Sequence, residues 1–120
     1  ALRLVALLNE SRNPKSDDFR GARRIWFQQE VDFKIFDKAH KAWSTTLSES
    51  GIFLRTPLSF PLYSTLQLKF QLLGSLSKFE CQGVVVRQEV EGPIHGIGIM
   101  FQNLSGEQIR ALESFLDLCR

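Results

Sequence analysis

Leu66-Gln67-Leu68-Lys69-Phe70-Gln71-Leu72 alternates apolar and polar residues without interruption. Side chains on an extended chain point to opposite faces in turn. A period of two therefore puts Leu66, Leu68, Phe70 and Leu72 on one buried face and leaves Gln67, Lys69 and Gln71 in water. A helix would scatter the same residues around its axis, so the stretch predicts a half-buried strand. The pattern recurs upstream. Val31, Phe33 and Ile35 alternate with Asp32, Lys34 and Phe36, and Asp37-Lys38-Ala39-His40 is a hairpin candidate. Ala42 to Leu47 has strand propensity, Ser48 to Gly51 turns, and Ile52 to Thr56 returns as a strand. Pro57 to Tyr63 reads as an irregular connection. Downstream, Gly74-Ser75 turns, and Phe79 to Val90 forms a long strand centred on Val84-Val85-Val86. Glu91-Gly92-Pro93 turns again, and Ile94 to Phe101 is the last strand, carrying Gly96 and Gly98 where the backbone needs close approach or a bulge.

Helical spacing is confined to the two ends. Leu4, Leu7 and Leu8 share one face of a short helix over residues 2–10, which Asn13-Pro14 breaks. At the other end, Ser105-Gly106-Glu107-Gln108 resembles a capping box, and Ile109, Leu112, Phe115, Leu116 and Cys119 form an apolar stripe behind it. Short strands at regular spacing followed by one helix predict a mainly β fold, a small antiparallel barrel with a packed terminal helix. We divide the chain into an N-terminal helix and linker, 1–15, and a barrel domain, 16–120. It starts at Ala1 without an initiator Met, which leaves a longer parent protein open.

Composition narrows the function classes. The 120 residues are 43% hydrophobic and 23% charged, ordinary for one soluble domain. No apolar run approaches the roughly 20 residues of a membrane helix, so no membrane role is expected. Cys81 and Cys119 are too few for a disulfide framework, and nothing resembles a secretory signal, so a reducing cytoplasm is the expected compartment. Both cysteines read as packing residues. His40 and His95 lack cysteine or acidic neighbours at metal spacing and read as ordinary surface or turn histidines, and no nucleophile–base set is present, so neither a metal nor an enzyme is expected. Trp26 and Trp43 read as core or rim aromatics.

Net charge is only +2, yet Arg12, Lys15, Arg20, Arg23 and Arg24 crowd one short stretch beside Asp17 and Asp18. That concentration suits a compact anion better than a long nucleic-acid track. Arg20 and Arg24 stand in R-x-x-x-R spacing in a segment, Ser16 to Arg24, that reads as a loop. A guanidinium offers paired donors in fixed geometry, which match phosphate oxygens and the acceptor edge of guanine. The bland alternatives are a solvated basic loop that caps Asp17 and Asp18, and, for Ser48 and Gly51, a tight turn whose glycine takes a positive φ.

Arg20-x-x-x-Arg24, then a strand pair, then Ser48-x-x-Gly51, then a late Gly98-Ile99-Met100-Phe101, resembles the PilZ domain over roughly residues 17–118. The resemblance implies a six-stranded antiparallel β-barrel with a C-terminal α-helix, here behind a short N-terminal helix. It implies a bacterial receptor that binds the second messenger cyclic di-GMP without catalysis or cofactor and signals to an effector protein or an adjoining domain. Carried onto this chain, Arg20 and Arg24 grip phosphate and guanine and Arg23 assists. Thr46, Ser48 and Gly51 line the other side, with Gly98 nearby. Thr46 departs from the family pattern, which has Asp or Asn there. Its single short hydroxyl replaces at most part of the bonding of a carboxylate or carboxamide, and a lost bond to a buried base donor costs about 1–3 kcal/mol. A degenerate interaction module of the same fold that binds no nucleotide is therefore the second reading. A barrel for single-stranded nucleic acid ranks last, because the cations cluster in one loop and not along the sheet.

Overall fold

The computed structural model describes residues 24–72, 78–90 and 95–119. Among these are seven strands and one helix: β1 (Arg24–Trp26), β2 (Glu30–Ile35), β3 (Lys38–Ser48), β4 (Gly51–Arg55), β5 (Thr65–Gln71), β6 (Lys78–Glu89), β7 (Gly96–Gln102) and α1 (Gly106–Leu118). The expected N-terminal helix, the division at residue 15, and the turns at Gly74-Ser75 and Glu91-Gly92-Pro93 lie outside the described residues.

All pairings are antiparallel, in the order β2-β5-β6-β7-β4, and β3 joins both ends by pairing with β2 along one edge and with β4 along the other. The sheet thus closes into a barrel. β1 and β2 lie end to end along the same edge of β3, since Thr46 faces Trp26 and Trp43 faces Glu30. Counted as one interrupted strand they make the barrel six-stranded, as the resemblance implies. Closure leaves fewer unpaired edges than an open sheet of the same strands.

Ser44 holds the interruption together. Its side chain is buried, its hydroxyl donates to the Phe27 carbonyl, and it accepts from the Gln29 amide at 3.0 Å. Its own amide reaches the Gln29 carbonyl at 2.9 Å. A buried hydroxyl is tolerated because each of its bonds replaces one the broken ladder lost.

Alternation sets the core. Leu66, Leu68, Phe70 and Leu72 of β5 are all buried, as are Val31, Phe33 and Ile35 of β2. Phe70 is fully enclosed among the rings of Phe27, Phe79 and Phe101. Burying such a side chain contributes about 1.5–3 kcal/mol. The helix adds Leu112, Phe115 and Leu116, with the Phe115 ring edge-on to Phe27 at 5.5 Å. Its capping box is formed as expected, with the Gln108 amide donating to the Ser105 hydroxyl at 3.1 Å and the Ser105 amide to the Gln108 side chain at 3.0 Å.

Several expectations need correction. The β2–β3 hairpin turns on Phe36-Asp37, both left-handed with φ 54° and 63°, so Ala39 and His40 already belong to β3. Two-residue turns of this hand match the twist of the strands they join, and that match outweighs the strain at Phe36. Ile109 is 44% exposed and Cys119 is exposed at the helix end, so the buried stripe is narrower than its sequence. Trp26 and Trp43 point into solvent. His40 is half-buried, stacked on Phe33 at 5.1 Å and edge-on to Phe60.

Candidate functional site

Two irregularities lie side by side on the outer surface. In β3, Ser44 faces Leu54 and Thr46 faces Phe53, so Thr45 is an extra residue. In β6, Val85 faces Ile99 and Arg87 faces Gly98, so Val86 is extra. Phe53 and Gly98 face one another directly. One cross-strand row therefore runs Trp26, Thr46, Phe53, Gly98, Arg87 through five strands, with a bulge on each side of its centre. The neighbouring row, Ile25, Leu47, Ile52, Ile99, Val85, points inward and joins the core. A bulge shifts the side-chain phase by one residue, and this is how Thr46 and Arg87 come to the outer face while Leu47 and Val85 stay inside.

The outer row is packed in its own right. β7 alternates glycine outward at Gly96 and Gly98. A Cβ on Gly96 would lie 2.6 Å from the Phe53 ring, and one on Gly98 would lie 3.3 Å from the Arg87 Cβ. The missing side chains form a bed for Phe53, which is only 9% exposed although its ring faces outward. Arg87 covers that ring, its guanidinium carbon 5.2 Å from the ring centre and its Nε 3.5 Å from Glu89.

Beside this row the β3–β4 turn is locked by Ser48. The amides of Ser50 and Gly51 both donate to its hydroxyl oxygen at 3.2 Å. Ser48 thus shapes the turn as well as bordering the site. Gly51 is not a left-handed glycine, contrary to the turn expectation. It is required because a Cβ there would lie 2.1 Å from the Ile99 carbonyl oxygen of β7. Arg24 opens β1 opposite Ser48 and so belongs to a strand, not to the loop expected for it. Burial, and then the Arg87 cation, hold its guanidinium below its ordinary value.

These elements enclose a pocket of about 320 Å³ lined by Arg24, Thr46, Ser48, Gly51 and Gly98, together with Phe53 and Arg87. Five residues proposed from sequence, spread from 24 to 98, come together in one place. Arg20 and Arg23 lie outside the described residues. Sequence reading missed Arg87 and Phe53. The available signal was Val84-Val85-Val86, since three consecutive valines cannot all keep strict alternation. No group of three or more His, Cys, Asp or Glu able to hold a metal occurs among the described residues, and no helix there is long and apolar enough to cross a membrane.

A family model described as the PilZ domain matches residues 18–118. No curated protein matches the chain. Among solved structures, the Bacillus subtilis inhibitor of motility (MotI/DgrA) aligns with a TM-score of 0.72 at 17% identity, covering 88% of this chain and 55% of that one. The PilZ domain of YcgR from Escherichia coli, solved with c-di-GMP, aligns with a TM-score of 0.64 at 16% identity, covering 83% and 90%. The Borreliella burgdorferi PlzA protein, in complex with c-di-GMP, gives 0.54 at 14% identity, covering 83% and 52%. This chain spans about half the length of the Bacillus and Borreliella proteins. Likeness at such identity is a likeness of fold.

Proposed function

Because this chain belongs to the PilZ domain family, we propose that it is a receptor for cyclic di-GMP and that its binding site is the pocket between the two bulges. The observation that carries this reading is the convergence of Arg24, Thr46, Ser48, Gly51 and Gly98 on that pocket. Two of the solved proteins with this fold hold the same nucleotide.

The chemistry fits a compact dianion. Arg24 and Arg87 bring two cations to one cavity, close enough that each disfavours the other's charge, and a negative ligand there offsets that cost. Arg20 and Arg23 precede Arg24 by at most four residues, and a span of roughly 13 Å when extended is long enough for the chain to bring both to the pocket. In this reading the phosphates lie against the arginines, and a guanine edge meets Thr46 and the turn that Ser48 shapes. Nucleotide held against the arginines then creates a new surface for an effector protein or an adjoining domain, which converts nucleotide concentration into contact. The domain, residues 16–120 behind a leading helix and linker, acts in the cytoplasm and catalyses no reaction.

Calorimetric titration with cyclic di-GMP, with GTP and cyclic AMP as controls, tests this. We expect saturable binding in the micromolar range or tighter, weakened at least about tenfold by Arg24→Ala. Thr46→Asp should strengthen binding by up to roughly tenfold, by restoring a charged acceptor. Absence of heat from a folded domain sinks the receptor reading. It leaves the interaction module without nucleotide, which the single hydroxyl of Thr46 supports. In that case Arg20→Ala and Arg24→Ala would leave partner binding intact.

A further inference from the structure

Arg87 lies outside both sequence motifs, yet the fold spends an irregularity on it. Val86 is unpaired in the β6–β7 ladder, and without that extra residue Arg87 would fall in phase with the core. With it, Arg87 faces outward across Gly98, which lacks the side chain that would obstruct it. Phe53 supports one face of the guanidinium, and Glu89 takes its Nε edge at 3.5 Å. The side chain is still 51% exposed and borders the same pocket as Arg24. A planar cation with an aromatic ring behind it and open space in front has the geometry of a stacking surface for another flat ring.

We propose that Arg87, backed by Phe53, is the stacking surface for a guanine base of the ligand in this pocket. The inference rests on the receptor reading and names a residue that the motifs do not. The phosphates lie toward Arg24, at the strand end of the pocket, and one base lies flat on Arg87 above the Phe53–Gly98 pair. The bulge in β3 puts Thr46 opposite Phe53 on the same outer row, where it lines the same pocket. The competing role is structural: a long side chain that shields an outward-facing phenylalanine from water.

The two roles separate on substitution. Cyclic di-GMP would be titrated into the unaltered chain, Arg87→Ala and Arg87→Lys, each first shown by circular dichroism and thermal melting to be folded. Arg87→Ala should weaken binding at least about tenfold. Arg87→Lys should recover little of that loss, because an ammonium keeps the charge but has no plane to stack. If Arg87→Ala binds as tightly as the unaltered chain, Arg87 only covers Phe53 and the inference fails while the receptor reading stands. Full recovery by lysine would also overturn stacking, since charge alone would then suffice. If the unaltered chain does not bind, the receptor reading and this one fall together.

Discussion

β5 and the first half of β6 form a ladder of seven residue pairs with no shift, from Thr65 facing Val84 to Gln71 facing Lys78. The wall where β3, β4, β7 and the second half of β6 meet skips a residue twice. Both walls bury branched aliphatic and aromatic side chains on the inside. They differ on the outside. Along the regular wall the outward residues are Gln67, Lys69, Glu80 and Gln82, polar groups such as the exposed Lys69–Glu80 pair at 3.8 Å, whose contribution to stability is small. Along the bulged wall the outward residues are Thr46, Phe53, Gly98 and Arg87, arranged around a pocket. A regular ladder maximises backbone bonding and fixes register. A bulge gives up part of one rung and gains control over where the next side chain points. In this barrel one wall supplies the framework and the other carries the candidate site.

That division makes predictions, beginning with the framework. Phe70→Ala removes a fully buried ring from the middle of the regular wall and should destabilise the domain by about 3–5 kcal/mol in denaturant titration. A loss below about 1 kcal/mol would show that the regular wall is not the framework.

Gly51→Ala acts on the bulged wall. A methyl group there meets the Ile99 carbonyl oxygen at 2.1 Å, so β4 and β7 must separate. The expected loss is about 1–3 kcal/mol, with weakened nucleotide binding under conditions where the variant remains folded. Unchanged binding by a folded Gly51→Ala would uncouple strand spacing from the pocket.

The smallest effect is chemical. Cys81 sits on the regular part of β6, half-buried against the core, and burial pushes its thiol up to about 12. Iodoacetamide at mildly alkaline pH should leave Cys81 unmodified in the folded domain and react with it after unfolding in urea. The folded state keeps a proton that the unfolded chain releases from about pH 8.5 upward. This contribution to stability is therefore whole below that pH and declines as pH rises toward 12. Rapid labelling of folded Cys81 would show that even the regular wall opens.

The framework was legible because alternation is a local property. Each apolar residue of β2 and β5 declares its face through its neighbours, and burial then follows from the hydrophobic effect. The capping box was legible for the same reason, since Ser105 and Gln108 are three residues apart and meet within one turn. The bulged wall was only partly legible. Ser48 and Gly51 were legible as one turn, but the reason Gly51 must be glycine is a carbonyl nearly fifty residues away, and nothing near Gly51 in sequence records it. Arg87 and Phe53 were missed because the face a residue presents after a bulge depends on the register of the neighbouring strand.

The sequence by itself therefore determined β2 to β7 in outline, the inward faces of β2 and β5, the closing helix and, through the resemblance carried by Arg24, Thr46, Ser48 and Gly51, where to look for a ligand. Tertiary structure alone decided that β3 closes the barrel by pairing on both edges, that Phe53 lies on Gly96 and Gly98, and that Arg87 turns outward over it. The physical reason is range. Alternation and capping act between residues a few positions apart, whereas closure, backbone approach and bulge phase depend on which distant strand becomes the neighbour.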